Sequence, residues 1–326
     1  MNTIKNLVSV LIPAYNHENY IQETIRTIIN QTYQNIELIV IDDGSKDSTW
    51  QKIKEMEEAC KERFFEVHFE TKENEGTCKT LNKLLSLAKG EYVFIIASDD
   101  LAKPRAIKTF VKFLEKNPDY ALVVGNNDII DENSKICYWD EDRNVVYSKT
   151  EAKWETFGEC LQKGKCFDFN SPHFGTYQTL YPGNYIPNGY LVRKSIFEKT
   201  GCFTPNAPLE DWYLMLQISK YAKMKFINEP LFSYRWHGAN SMNNLERIIN
   251  ITNITSDYEE KILENIDEKA VLPDVLKVKK YGAYYKRQGI PYIFEILTYR
   301  KNKDKIKEIR LFNFRIKRFK KGKVWE

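Results

Sequence analysis

Between Leu7 and about Gly125, short apolar runs rich in β-branched residues alternate with stretches whose apolar residues recur every three or four positions. No other feature constrains the fold as strongly, because this alternation is the signature of stacked β-α units around a mostly parallel sheet. The predicted strands are Leu7 to Ile12, Ile36 to Ile41, Phe65 to Phe69, Tyr92 to Ala97 and Ala121 to Val124. The predicted helices are Tyr20 to Ile29, Thr49 to Cys60, Leu81 to Ala88 and Ile107 to Leu114. From the turn-forming run Asn126-Asn127-Asp128 to about Gly189 the pattern weakens and aromatics and glycines dominate, as in long binding loops laid over a scaffold. A helix at Leu209 to Tyr221, a strand at Lys225 to Tyr234 and a helical C-terminal region from Asn244 to about Tyr299 follow. This divides the chain into an α/β domain over 1–241, with halves 1–125 and 126–241, and a helical C-terminal region over 242–326.

Composition narrows the class. A chain of 326 residues with 42% hydrophobic content buries a large core. Its six cysteines include no CxxC pair, which points to buried or free thiols and a reducing, cytoplasmic setting. The run Val8 to Ile12 is too short for a signal peptide or a membrane span. Net charge is only +4, but Arg300 to Lys323 is strongly basic. There Ile306, Ile309, Phe312, Ile316 and Phe319 are spaced as on a basic amphipathic helix suited to an anionic membrane surface. Leu311 to Phe319 also reads with period two, and the bland alternative is a solvated tail. No module interleaves aromatics with base, so nucleic acid is not an expected partner.

In an open α/β sheet, ligands bind outside the carboxyl ends of the strands. The first predicted strand ends in Pro13-Ala14-Tyr15-Asn16, the second in Asp42-Asp43-Gly44-Ser45 and the fourth in Ser98-Asp99-Asp100. Carboxylates converging on one edge repel one another unless a cation or hydrogen-bond donors share the site, and hard divalent cations take oxygen ligands while leaving positions for phosphates. A metal-bound diphosphate fits that edge.

These strings, together with Asn74-Glu75-Gly76, Asn188-Gly189-Tyr190, Gly201-Cys202-Phe203, Glu210-Asp211 and Tyr234-Arg235-Trp236-His237, resemble in order and spacing the family 2 glycosyltransferases of GT-A fold. The resemblance covers roughly residues 7 to 241. It implies an inverting transferase that moves a sugar from a nucleotide diphosphate donor, a UDP-sugar, to a hydroxyl of a bacterial cell-surface or lipid-linked glycan such as a capsule or lipooligosaccharide. Pro13 and Tyr15 are implied to flank the base, and Asp43 to accept the ring N–H of uracil. Asp99 is implied to contact the ribose or donor sugar, Asp100 to bind Mg²⁺ or Mn²⁺, and His237 to complete the metal or diphosphate contacts. Asp211 matches the general base, with Glu210 beside it on the acceptor side. The arginine that many relatives carry after the Asn-x-Gly element is replaced by Thr80-Leu81-Asn82, which leaves Lys79 as the cation for the phosphates. Ala97 stands where an aspartate is common.

Each piece has a bland reading. Asp42 to Ser45 reads as a turn before a helix, Asp99-Asp100 as a helix entry, and Glu210-Asp211 as acids at a helix N-terminus. His237 alone reads as a structural histidine, and Trp139, Trp154, Trp212 and Tyr213 as core. Independent turns would not fall in one family's order. A sugar-nucleotide pyrophosphorylase needs a Gly-rich N-terminal loop that Pro13 to Asn16 does not provide. The remaining rival is a catalytically inactive nucleotide-sugar or glycan-binding protein.

Overall fold

The structure is a computed structural model that describes residues 3–165, 168–238, 240, 244–281, 283–286, 294–301, 304–311, 314–320 and 323–325. The first half runs β1 (Ile4–Ala14), α1 (Ile21–Ile29), β2 (Ile36–Asp42), α2 (Thr49–Lys54), α3 (Glu57–Arg63), β3 (Glu66–Thr71), α4 (Thr77–Leu87), β4 (Gly90–Ile95), β5 (Leu101–Ala102) and α5 (Ala106–Lys116). The second continues with β6 (Tyr120–Ile130), β7 (Ile136–Trp139), β8 (Val145–Val146), α6 (Phe157–Lys165), α7 (Tyr177–Leu180), β9 (Tyr190–Arg193), α8 (Phe197–Thr200), α9 (Glu210–Ser219) and β10 (Lys223–Arg235). Two helices close this part, α10 (Leu245–Glu264) and α11 (Pro273–Tyr281).

The main sheet is ordered β3-β2-β1-β4-β9-β6-β10-β5. Strands β3, β2, β1 and β4 are parallel, β9 runs antiparallel between β4 and β6, and β10 lies parallel to β6. The sheet is thus mostly parallel, as the alternation predicts. Because β1 pairs with β2 on one side and β4 on the other, the strand order reverses there and opens a crevice at their carboxyl ends.

Successive residues of β1 serve opposite faces. Val8, Val10 and Ile12 pack with Ile21, Ile25 and Ile28 of α1 and Ile107, Phe110 and Leu114 of α5. Leu11 packs instead with Leu81 and Leu84 of α4 and Trp212 and Leu216 of α9. Full burial of each such side chain stabilises the fold by roughly 1.5–3 kcal/mol. Leu263 of α10 and Val275 and Val278 of α11 join that second face, so residues beyond 242 share the core of the sheet.

Four sequence expectations change. The helix over Thr49 to Cys60 is divided into α2 and α3, with Met56 between them. Asn126-Asn127-Asp128 is no turn but the interior of β6, where the buried Asn126 amide donates to Thr156 and Asn228 (both 3.1 Å) and its oxygen accepts from Gly158 N–H (3.0 Å). Those distant bonds add to the local one its oxygen accepts from Asn127 N–H (2.8 Å), so the side chain is engaged without a turn. Tyr190–Arg193 forms β9, a strand too short to stand out from the loops around it. Finally, the C-terminal region is helical only to Tyr281. Beyond it β11 (Ala283–Lys286), β12 (Phe294–Lys301), β13 (Asp304–Leu311), β14 (Phe314–Lys320) and β15 (Lys323–Trp325) pair in sequence as an antiparallel meander. The expected amphipathic helix is therefore a sheet: the period-two reading prevails because β-branched and aromatic residues alternate with base, which suits a pleated surface.

Candidate active site

Loops after β1 and β2 are stitched together at the crevice. Asn16, in the left-handed region at φ 52°, donates its N–H to Ser45 Oγ (2.8 Å), and its side-chain oxygen accepts from Lys46 N–H (2.8 Å). Asp43 lies directly behind. Its carboxylate accepts from Glu75 N–H (3.1 Å), Gly76 N–H (2.9 Å) and the Lys72 ammonium. Burial alone would raise this carboxyl, but the Lys72 bond and the Glu75 N–H hold it below its usual value. Gly44, at φ +72°, permits the close approach, since a Cβ there would stand 2.7 Å from Asn74 N. Tyr15 is exposed on the crevice rim beside the half-buried Pro13, while the exposed Lys79 pairs with Glu75 at 3.1 Å.

The acids after β4 have unequal surroundings. Asp99 Oδ2 lies 3.0 Å from His237 Nε2 and 3.8 Å from His17 Nε2, while His17 Nδ1 meets Ser98 Oγ at 2.7 Å. One ligand atom from each of His17, Asp99 and His237 lies within 4.8 Å of the others, an arrangement that can hold a metal ion. Burial would raise the Asp99 carboxyl, yet the His237 bond and the two imidazoles carry it below its usual value. Burial lowers His17. Asp100 is 1% exposed, accepts from Arg235 N–H (3.0 Å) and the Asn188 amide (3.2 Å), and stands outside the histidine group. Burial, then the charge of Asp99, hold it well above its usual value.

The fully buried Arg235 braces this arrangement: its guanidinium donates to Asp99 O (2.7 Å), Ser134 Oγ (2.8 Å) and Glu23 (2.7 Å) and lies 4.8 Å from the Tyr20 ring centroid. Nearby, Gly189 at φ +77° leaves no room for a Cβ, which would fall 2.3 Å from the Phe232 ring. The chain can therefore cross β10 and place Asn188 on Asp100.

Glu210 and Asp211 open α9, where the macrodipole favours negative charge. Asp211 accepts from Asn184 Nδ2 (2.9 Å) and Trp212 N–H (2.5 Å). Burial raises both carboxyls; Glu210, beside the Asp211 charge as well, is pushed up to about 7.

The structure thus gathers Asp99 and His237, which the sequence singles out, and adds His17 to them and Asn184 to Asp211, neither of which it singles out; Asn188, from the Asn188-Gly189-Tyr190 string, meets Asp100. A signal for His17 existed: it follows the first strand end directly, in a chain with only four histidines.

Residues 9–178 match the family model for glycosyl transferase family 2. The chain is 29% identical over 238 residues to the glycosyltransferase GlyG of Streptococcus pneumoniae and 33% identical over 237 residues to a glycosyltransferase of Haemophilus influenzae. Each alignment covers 71% of this chain, and 71% and 66% of the respective relatives. The fold is similar to that of Staphylococcus aureus TarS residues 1–349 in complex with UDP-GlcNAc, with a TM-score of 0.54, 16% identity, and 80% of this chain and 67% of that one covered. It is also similar to the Pyrobaculum calidifontis mannosyltransferase PcManGT in complex with GDP-Man and Mn²⁺, with a TM-score of 0.50, 18% identity, and 73% and 59% covered. At such identities the likeness is one of fold, and that fold is GT-A.

Proposed function

Because this chain belongs to glycosyl transferase family 2 and is a glycosyltransferase acting on a nucleotide sugar, we propose that it moves one sugar, with inversion, from a UDP-sugar to a hydroxyl of a bacterial cell-surface or lipid-linked glycan. The observation that carries the reading is the separation of two acidic sites. One, at the strand-order reversal, joins a carboxylate to two imidazoles; the other is a raised carboxylate pair at the start of α9.

In this reading Tyr15 and Pro13 flank the base, and Asp43 accepts its ring N–H. A carboxylate offers about four acceptor positions, of which Lys72, Glu75 and Gly76 take three, so one remains for the base. The TarS complex with UDP-GlcNAc supports a uridine donor. Lys79 turns from Glu75 toward the phosphates. Asp99, His17 and His237 fit a divalent cation, and two nitrogens with one oxygen suit Mn²⁺ better than Mg²⁺, which prefers all-oxygen surroundings. His17, Asp99 and His237 would hold a cation that could neutralise charge on the departing diphosphate. Asp100 then acts as a positioning residue that orders Arg235 and Asn188, in place of the metal role implied by resemblance. Asp211, oriented by Asn184, takes the proton of the acceptor hydroxyl, and Glu210 shares its charge. The basic C-terminal strands hold the protein at the cytoplasmic face of an anionic membrane; no helix among the described residues is long and apolar enough to cross one.

The test is release of UDP from a panel of nucleotide sugars with Mn²⁺ or Mg²⁺, together with calorimetric titration of Mn²⁺. We expect turnover with uridine donors, greater with Mn²⁺, and a loss of at least tenfold in Mn²⁺ affinity for His17→Ala and Asp99→Asn. Full turnover in excess EDTA, or tighter binding of GDP than UDP, would overturn the reading.

A further inference from the structure

Beside the group of His17, Asp99 and His237 lies a cleft of about 310 Å³ lined by Asp131, Glu132, Asn133, Val145, Tyr147 and Trp236, and reaching His237 and Gly238. We propose that this cleft is a subsite for one neutral sugar ring of the acceptor glycan, with Trp236 as its platform and Glu132 as the acceptor of its hydroxyl protons. The inference rests on the glycosyl-transfer reading and adds the class of acceptor.

Its position comes first. The nucleotide loops follow β1 and β2, whereas the cleft lies at the ends of β6 and β10, on the other flank of His237. A ligand there adjoins the donor site without overlapping the base. Its size comes second: ligand sites span about 300–1,000 Å³, so this cleft holds a single ring rather than an oligosaccharide.

Chemistry selects the ring. Trp236 and Tyr147 are amphipathic aromatic side chains of the kind that cover the apolar face of a sugar. The Trp236 backbone N–H donates to Ile130 O (2.8 Å), and its ring packs 5.0 Å from that of Trp139. Tyr147 is fixed by donating to Asp131 Oδ2 (2.6 Å), and Lys135 covers its ring at 4.1 Å. The other oxygen of Asp131 accepts from Asn133 and Lys135 N–H (2.9 Å each), which makes Asp131 a brace. The exposed Glu132 carboxylate has no hydrogen bond or ion pair among the described residues. An acceptor-only group beside an aromatic platform matches the hydroxyls of a sugar, and the Glu132 carboxylate repels a phosphate or a uronic acid placed against it.

The experiment uses the full chain labelled with 5-fluorotryptophan, whose six tryptophans give six fluorine resonances, with Trp236 assigned through Trp236→Phe. We expect methyl β-D-glucopyranoside or methyl β-D-galactopyranoside to shift the Trp236 resonance selectively, and methyl glucuronide to shift it at least fivefold less. Glu132→Gln should weaken the neutral glycosides several-fold and narrow the gap to the glucuronide. An unmoved Trp236 resonance with either neutral glycoside, an equal response to the glucuronide, or an unchanged Glu132→Gln titration would overturn the subsite. UDP release from a nucleotide sugar, measured on the same samples, separates this outcome from failure of the transferase reading, which would abolish that release too.

Discussion

At the residue scale the chemistry turns on neighbours with different surroundings. Removing a general base costs about 10² to 10⁴ in rate, whereas removing a metal ligand also weakens donor binding. Asp211→Asn is therefore expected to keep UDP affinity within a few-fold while sugar transfer collapses, and Glu210→Gln to be milder; near wild-type transfer by Asp211→Asn would move the base to Glu210. The pair also links stability to pH. Glu210 ionises near 7 in the folded protein against its ordinary 4.5, so the folded state holds an extra proton between those values. Its contribution is fully present below about 4.5 and is lost as pH rises through 7. Melting midpoints should fall across that window, and Glu210→Gln should flatten the fall; parallel curves for both proteins would contradict this. Sequence order alone marks Glu210, Asp211, Asp99 and His237, because acids at strand and helix ends fall in a recognisable series. It does not reveal the unequal surroundings of Asp99 and Asp100, since the difference comes from Asn188 and the Arg235 backbone, each about 90 or more residues away.

At the element scale, α10 grips α9 near both ends. Thr255 accepts Leu209 N–H (3.0 Å) just before Glu210, and Glu259 meets Lys220 (2.7 Å), Gln217 (2.6 Å) and Tyr177 (2.5 Å) near its far end. Lys220 and Glu259 are each 1% exposed. Removing one partner of a buried pair strands the other charge, which costs about 3–5 kcal/mol. Glu259→Ala is expected to lose stability of that order in urea unfolding, and Lys220→Met with Glu259→Leu to recover most of it. If the double variant were as unstable as Glu259→Ala, packing rather than stranded charge would explain the loss. The helices α1, α4 and α5 are legible because each carries a clean apolar stripe. In contrast β6 is obscured by Asn126 and Asn127, whose side-chain amides find Thr156, Asn228 and Asn188, and Asn126 Oδ1 the Gly158 N–H, all from distant segments.

For the whole molecule, the C-terminal meander is the outlier. The described residues between Arg300 and Lys323 all lie in its strands, and each basic group near an anionic surface contributes about 1 kcal/mol to attraction. A chain ending at Tyr281 keeps α10 and α11, so it should still bind UDP and Mn²⁺ while losing sedimentation with phosphatidylglycerol vesicles. Unchanged sedimentation would detach the meander from membrane binding. The sequence by itself determined the parallel α/β sheet, its crevice of acidic strand ends and the family, because hydrophobic period and strand-end residues are local properties. Only the tertiary structure decided that Asp99 joins His17 and His237, that Asn184 orients Asp211, that helices beyond 242 enter the core, and that the basic tail pairs as strands. Each of those depends on groups far apart in the chain finding a partner in a buried place, where an unpaired polar group is costly and period alone carries no information about the partner.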